Sequence, residues 1–224
     1  MSTLTSTLAI AHRAGNSLDG LHRANALGVD VIECDIHHHH GRLEVRHLKT
    51  AGPLPFLWDR WELASAAGPR LGLQELLEAD RHDTTFMLDL KGRSGSTGPA
   101  VAELLHRVAG RQPVLVCGRH WPSVEHVAEL VFVRAVLSAR SRAELRRLWR
   151  RLETGSPVHG VSVHRSLLDP EAVARLHRHV ELVMTWPVND LATLDATVAL
   201  GADGMISDED EVLSTVLARR HPLS

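Results

Sequence analysis

Apolar residues along this chain fall into two alternating patterns. Short runs rich in Val, Ile and Leu are separated by longer segments in which apolar residues recur every three or four positions. The runs predict buried strands and the longer segments predict amphipathic helices, an alternation typical of an α/β protein with a parallel sheet. Eight strand-like runs occur, the number that closes a TIM-type (β/α)8 barrel. They cover residues 8–12, 31–36, 85–90, 114–117, 132–137, 160–163, 182–186 and 204–207.

One further apolar run, at 43–47, interrupts this alternation. It follows the second strand after about six residues, whereas a parallel crossover needs about a dozen or more. We therefore predict a β-hairpin after strand 2, with Gly41 at the turn and the histidine run 37–40 at its tip. This fold-back would bring His47 over the mouth at which the parallel strands end. The next segment, 50–72, is predicted to be a loop or small insertion beside that mouth.

Length and composition fit a single domain over residues 1–224 and limit its partners. The 25 Lys and Arg residues nearly balance the 27 Asp and Glu residues, which argues against nucleic acid or an anionic membrane as a partner. No apolar run approaches the ~18 residues of a transmembrane helix, and the first residues lack a signal-peptide pattern. Cys34 and Cys117 lie inside apolar runs, which favours buried free thiols. We therefore expect a cytoplasmic protein without stable membrane insertion, of undetermined oligomeric state.

Acidic side chains follow one face of two predicted strands. Glu33 and Asp35 are two residues apart on strand 2, so both project to the same side, and Asp89 and Lys91 repeat this spacing on strand 3. Carboxylates that face a barrel interior are costly unless a cation is bound. Three oxygen ligands suit a hard divalent ion, Mg²⁺ or Ca²⁺. The alternative is that these residues form structural ion pairs only. Glu33 and Asp35 would then pair with Arg13, and Lys91 would pair with an acidic residue such as Asp89.

Two histidines reach the same predicted mouth. His12 ends the first strand, and His47 returns from the hairpin. Hydrolysis of a phosphodiester needs one group to take a proton from the nucleophile and another to protonate the leaving alkoxide, and histidine titrates in the range for both. Together with the acidic residues, the pair favours metal-assisted attack on a phosphate ester. Trp186 would form an aromatic wall at the end of strand 7. The alternative is that His12, His47 and Trp186 have structural roles only.

Taken in order, these motifs resemble those of the glycerophosphodiester phosphodiesterase family, over about residues 8–213. The resemblance implies a TIM-type barrel and metal-dependent hydrolysis of a small-molecule glycerophosphodiester to glycerol 3-phosphate and an alcohol. It implies an acid/base pair, His12 and His47; metal ligands, Glu33, Asp35 and Asp89; and substrate-binding residues, Arg13, Lys91 and Trp186. The motifs that carry it are His12-Arg13, Glu33-Cys34-Asp35, His47, Asp89-Leu90-Lys91, Trp186-Pro187-Val188-Asn189 and the run Gly201 to Asp208.

Several positions depart from the family pattern, among them Ala14 in place of Gly and Pro187 in place of Thr. Gly15 replaces a Glu, which removes a carboxylate near the site, and Leu48 replaces an Asp, which predicts that His47 lacks an orienting partner. Asp89 replaces the more usual Glu. Asp in this place also occurs in the more distantly similar sphingomyelinase D enzymes, in which a substrate hydroxyl attacks phosphorus and a cyclic phosphate forms. A cyclising lyase of that kind and a barrel that binds phosphate ligands without turnover are the alternative functions. The head group of the substrate and the choice between Mg²⁺ and Ca²⁺ stay open.

Overall fold

The structure is a computed structural model that describes residues 7–51, 54–59, 62–92, 95–108 and 113–220. Eight parallel strands form a closed barrel, because the first strand pairs with both the second and the last. This arrangement confirms the predicted TIM-type barrel. The barrel strands are β1 (Leu8–Ala11), β2 (Val31–His39), β7 (Thr85–Leu90), β8 (Val114–Gly118), β9 (Val133–Ala139), β10 (Gly160–His164), β11 (Leu182–Trp186) and β12 (Gly204–Ser207).

Helices follow the strands and cover the outside of the barrel, as the alternating pattern predicts. The helices are α1 (Leu18–Leu27), α2 (Leu73–Ala79), α3 (Thr97–Val108), α4 (Trp121–Val127), α5 (Arg142–Thr154), α6 (Pro170–Leu176), α7 (Leu191–Ala199) and α8 (Asp210–Arg220), with 3-10 turns at Ala14–Asn16 and Arg165–Leu167.

Residues alternate along each barrel strand between a core under the helices and a core inside the barrel. Ile32 and Cys34 on β2 belong to the outer core, whereas Val31 on the same strand belongs to the inner one. Cys117 also lies in the inner core, and both cysteines are buried and free, as predicted. The inner core consists of Ile10, Val31, Met87, Leu115, Cys117, Val136, Leu182, Met184 and Ile206. Polar side chains of the same inward phase lie nearer the carboxyl ends of the strands.

The predicted hairpin after the second barrel strand is present. The strand β3 (Arg42–Val45) pairs antiparallel with the end of β2, and His40 and Gly41 make the turn with φ values of 47° and 74°. Positive φ at both central residues is the geometry of the tight two-residue turn, and Gly adopts it without strain. The hairpin returns the chain to His47 at the mouth of the barrel.

The segment after the hairpin forms a small antiparallel sheet of its own. It comprises β4 (Lys49–Thr50), β5 (Phe56–Asp59) and β6 (Glu62–Ser65). The sequence predicted a loop or small insertion here, and the structure adds the strands. No helix in the described part of the chain is long and apolar enough to span a membrane.

Candidate active site

Three carboxylates meet at the carboxyl end of neighbouring barrel strands. Glu33 and Asp35 lie on β2, and Asp89 lies beside Asp35 in the register of β7. One oxygen atom from each of the three lies within 4.8 Å of the others. Glu33 is 3% exposed and Asp35 is fully buried. We call Glu33, Asp35 and Asp89 the acidic cluster; the sequence predicted its members and their common direction.

Two predicted cations contact the acidic cluster. Lys91 Nζ lies 2.6 Å from Asp35 Oδ1 and also pairs with Asp89 Oδ2. Arg13 Nε lies 3.8 Å from Asp35 Oδ2, and the backbone N–H of Arg13 donates to Glu33 Oε2 at 2.6 Å. Arg13 adopts a left-handed backbone conformation with φ of 56°, which places this N–H toward β2 at the end of β1. The cations therefore lie beside the cluster, as the sequence predicted.

The pKa values of the carboxylates in the acidic cluster are shifted in opposite directions. Burial, with the negative charge of Asp35, raises the pKa of Glu33 well above its usual value. Burial alone would also raise the pKa of Asp35, but the charge of Lys91 and a hydrogen bond from His47 lower it below the usual range. Burial disfavours the charged form of Lys91, yet Asp89 and Asp35 raise its pKa above the usual value. A charged Asp35 and Lys91 therefore face a Glu33 that retains its proton readily.

The donor set fits a hard divalent cation. All three donors are carboxylates, the ligand type that Mg²⁺ and Ca²⁺ prefer. Asp35 Oδ1 is buried and, among the described residues, receives no well-directed hydrogen bond, although the Lys91 ammonium lies 2.6 Å away. A cation would also favour the charged form of Glu33, because ligand carboxylates bind metal deprotonated. Glu33, Asp35 and Asp89 could therefore hold such an ion.

His12 is oriented by a carboxylate from the last barrel strand. Its Nδ1 lies 2.8 Å from Asp208 Oδ1, and Asn189 Nδ2 donates to the other oxygen of Asp208 at 3.1 Å. The hydrogen bond with His12 lowers the pKa of Asp208 below its usual value. Because Nδ1 is engaged, Nε2 is the nitrogen that could exchange a proton with a bound substrate. Asp208 ends the last of the motifs that carry the resemblance, but the sequence did not assign it this role.

His47 lies between two carboxylates. Its Nδ1 is 3.0 Å from Asp35 Oδ2, and its Nε2 is 2.9 Å from Asp59 Oδ2. Asp59 also accepts a hydrogen bond from Lys49 Nζ at 2.7 Å. The prediction that His47 lacks an orienting partner, made from Leu48, is therefore wrong: Asp35 and Asp59 both contact its ring. Asp59 comes from β5 of the inserted sheet, a place that no sequence motif indicated.

The turn after β1 fixes the buried side of the acidic cluster. Asn16 Nδ2 donates to Asp35 Oδ2 at 2.9 Å, and Asn16 Oδ1 accepts the backbone N–H of Asp35 at 2.8 Å. Gly15 packs so closely on β2 that a Cβ atom there would lie 2.8 Å from Cys34 Cβ and 3.2 Å from the Glu33 carbonyl oxygen. A glutamate, as the family pattern has here, would therefore displace β2. Asn16 was not among the predicted site residues.

Trp186 lies apart from the other predicted residues. It ends β11 on the inward face, and its ring meets that of His164 edge-on with centroids 5.0 Å apart. The peptide bond between Trp186 and Pro187 is cis. No contact found among the described residues joins Trp186 to the acidic cluster. Of the other predicted residues, Arg13, His47 and Lys91 contact the acidic cluster directly. His12 precedes Arg13 at the end of β1, and its ring contacts Asp208.

Comparisons with known proteins rest on structure alone, since no family model and no curated protein matches the chain. It is similar to a phosphodiesterase of Oleispira antarctica in complex with the product sn-glycerol-3-phosphate, with a TM-score of 0.74, 18% identity, and coverage of 95% of this chain and 97% of that one. A glycerophosphodiester phosphodiesterase of Parabacteroides distasonis gives a TM-score of 0.71 at 18% identity, covering 96% and 98%.

A third solved structure shows how far the shared fold reaches. Orotidine 5'-phosphate decarboxylase of Pyrococcus horikoshii gives a TM-score of 0.56 at 14% identity, covering 96% of this chain and 99% of that one. The barrel is therefore shared with a different chemistry. These similarities establish the fold, and the function must be argued from the site.

Proposed function

We propose that this protein is a divalent-metal-dependent phosphodiesterase that hydrolyses glycerophosphodiesters to glycerol 3-phosphate and an alcohol. The observation that carries the proposal is the acidic cluster at the carboxyl end of the barrel, contacted by Lys91, Arg13 and His47. Active sites of this fold lie at that end. The Oleispira antarctica neighbour, whose structure contains sn-glycerol-3-phosphate, supports the glycerol 3-phosphate part of the substrate.

The acidic cluster and its cations would bind the phosphate group together. Glu33, Asp35 and Asp89 would hold the metal ion, which when bound supplies positive charge against the phosphoryl oxygens. Lys91 and Arg13 lie beside these carboxylates and would donate to the phosphate oxygens. Asn16 and His47 hold Asp35 in place from two sides.

The two histidines would move the protons of the hydrolysis. A water molecule attacks phosphorus as one histidine takes its proton, and the bond from phosphorus to the alcohol oxygen breaks as the other histidine protonates that oxygen. His12 is held at Nδ1 by Asp208, which leaves Nε2 for this transfer. His47 is held at both nitrogens, so its Nε2 must exchange Asp59 for the reacting group. Asp35 at Nδ1 therefore orients the His47 ring during the transfer, and Asp59 holds the ring only until the reacting group takes its place at Nε2.

Product analysis tests the proposal directly. Phosphorus NMR of a panel of glycerophosphodiesters, incubated with Mg²⁺, Ca²⁺ or EDTA, should show glycerol 3-phosphate only when a metal is present. A cyclic phosphate product would instead support the cyclising lyase, which the Asp at position 89 favours. Absence of any turnover, together with a silent His12→Ala change in a bis(p-nitrophenyl) phosphate assay, would support a barrel that binds phosphate ligands without catalysis.

A further inference from the structure

Polar side chains line the barrel interior on the side away from the acidic cluster. On β9 and β10, Ser138 and Ser162 are direct neighbours in the register, and both lie in the inward phase. Two residues further along, Arg140 follows β9 and His164 ends β10, and His164 is in register with Trp186 of β11. We call Ser138, Arg140, Ser162, His164 and Trp186 the β9–β11 row. It forms two levels, with serines below and Arg140, His164 and Trp186 at the mouth.

The lower level offers the hydroxyl groups of two largely buried serines. Ser138 is 7% exposed and Ser162 is 3% exposed. Within the described ranges, neither side-chain hydroxyl has a hydrogen-bond partner. Neither hydroxyl oxygen is among the buried side-chain atoms that lack a partner in the described residues, so both oxygens reach the accessible space inside the barrel. Two adjacent, inward-facing hydroxyls are therefore suited to the hydroxyl groups of a bound ligand.

The upper level carries positive charge without partners. Arg140 and Arg165 are exposed, and in the described part of the chain neither guanidinium pairs with a carboxylate. Both lie near His164: burial, then Arg165 and Arg140, lower the pKa of its imidazole below the usual value. By contrast, Arg119 at the end of β8 is bound to Glu144 at 2.8 and 2.5 Å. Arg140 and Arg165 thus add positive charge to this part of the mouth, where the acidic neighbour is Asp190: hydrogen bonds from Thr193 and, more weakly, the charge of Arg165 lower the pKa of Asp190.

The backbone at Arg140 is held firmly. Its N–H donates to Glu144 Oε2 at 2.8 Å, and the same oxygen accepts the N–H of Ser141 at 3.1 Å at the start of α5. Glu144 therefore caps the helix without contacting the Arg140 guanidinium. The mouth of the barrel is electrostatically divided, with the acidic cluster on β2 and β7 and the two arginines at the ends of β9 and β10.

We infer that the β9–β11 row, with Arg165, is the subsite for the alcohol portion of the substrate, and that it selects an alcohol bearing both hydroxyls and negative charge, such as a phosphorylated polyol. The inference rests on the proposed function. Ser138 and Ser162 would bind the hydroxyls, and Arg140 and Arg165 the anionic group. A cationic head group such as choline would be repelled by two unpaired guanidiniums.

A matched pair of substrates tests this selection. Glycerophosphoinositol and glycerophosphoinositol 4-phosphate differ by one phosphate, and we expect kcat/KM to be roughly tenfold or more higher for the phosphorylated compound, since charge-assisted hydrogen bonds stabilise by about 1.5–3 kcal/mol. Glycerophosphocholine should be the poorest substrate. Arg140→Gln and Arg165→Gln should each reduce the ratio between the phosphorylated and plain substrates by roughly five- to tenfold.

Arg134→Gln is the matched control, because Arg134 is exposed on the same strand at its opposite end and its guanidinium donates to the Val131 carbonyl oxygen. It should leave the ratio unchanged. Equal rates for the two inositol substrates, a preference for glycerophosphocholine, or the same ratio in Arg140→Gln and Arg134→Gln would overturn the subsite.

Failure of the proposed function is distinguishable from failure of the subsite. If no glycerophosphodiester is turned over with either metal, calorimetric binding of the same two inositol compounds replaces the kinetics. Tighter binding of the phosphorylated compound, weakened in Arg140→Gln but not in Arg134→Gln, would then support the subsite in a protein without this activity. Equal binding of the two compounds would refute it.

Discussion

Asn16 should control how well the acidic cluster binds metal, although it is not itself a ligand. It makes two hydrogen bonds to Asp35, one to Oδ2 and one from the backbone N–H. Replacing it by alanine removes both, while His47 and Lys91 keep their contacts with the same carboxylate. Asp35 would thus stay charged but lose the restraint on its orientation.

The expected magnitudes follow from the burial of Asp35. Its backbone N–H would lose its partner in a fully buried residue, at a cost of about 1–3 kcal/mol, and losing one donor to the carboxylate adds about 1 kcal/mol. We therefore expect the free energy of unfolding to fall by about 2–4 kcal/mol. Residues that orient metal ligands typically change metal affinity by about 10–100-fold when replaced, and we expect Asn16→Ala to weaken Mg²⁺ or Ca²⁺ binding by that range.

Asn25→Ala provides the control. Asn25 also makes two side-chain hydrogen bonds, to Asp80 at 3.0 Å and from Thr84 at 2.7 Å, but at the far end of α1. It should lower stability by about 1–2 kcal/mol and leave metal affinity unchanged. Denaturant unfolding of both variants measures the loss of stability, and calorimetric metal titration measures the change in metal affinity. Equal metal affinity in Asn16→Ala and the wild type would refute the reasoning.

Three further outcomes follow from the same contacts. Asp59→Asn should lower KM by about threefold or more and leave kcat close to the wild-type value, because Asp59 competes with substrate for His47 Nε2 while Asp35 still orients the ring; a fall in kcat of about tenfold in steady-state assays would contradict this. Gly15→Ala should cost about 1–3 kcal/mol in thermal unfolding because its Cβ meets β2, and Gly95→Ala, which meets nothing within 4 Å, should be neutral. Burial would raise the pKa of Glu144, but Arg119 and backbone N–H groups lower it, so its unfolded form binds protons more readily. The stability advantage of the wild type over Glu144→Gln should therefore be present at neutral pH and shrink as pH falls toward ~3; an advantage that grows on acidification would contradict this sign.

The fold and the acidic cluster were predictable because both depend on local alternation. The inward direction of Glu33 and Asp35 follows from their spacing on a strand whose other face, Ile32 and Cys34, is apolar. The hairpin after β2 followed from the shortness of its connection. These are properties of segments of a few residues, so no long-range information was needed.

The orienting residues were not predictable because they depend on long-range closure and on an irregular insertion. Asp208 is 196 residues from His12 and reaches it only because β12 pairs with β1. Asp59 reaches His47 through the small sheet β4–β6, a segment without a periodic pattern strong enough to place it.

The departures from the family pattern show the same limit. Leu48 suggested an unsupported His47, but the carboxylates of Asp35 on β2 and of Asp59 in the insertion contact its ring. Gly15 suggested only a lost carboxylate, whereas the structure shows that the turn lies too close to Cys34 for a side chain there. Comparing motifs position by position does not detect a carboxylate that comes from elsewhere in the chain. It also does not detect that the backbone of a turn packs more closely on a neighbouring strand.

The central claim is that a metal ion held by the acidic cluster supports hydrolysis, and the rate of glycerol 3-phosphate release tests it most directly. The measurement follows this rate against Mg²⁺ or Ca²⁺ concentration in the wild type, Glu33→Gln and the control Glu44→Gln, whose side chain pairs with Arg46 outside the cluster. We predict release that rises with metal and stops with EDTA in the wild type and Glu44→Gln, and no release from a folded Glu33→Gln. Release insensitive to EDTA, or near-normal rates in Glu33→Gln, would contradict the account.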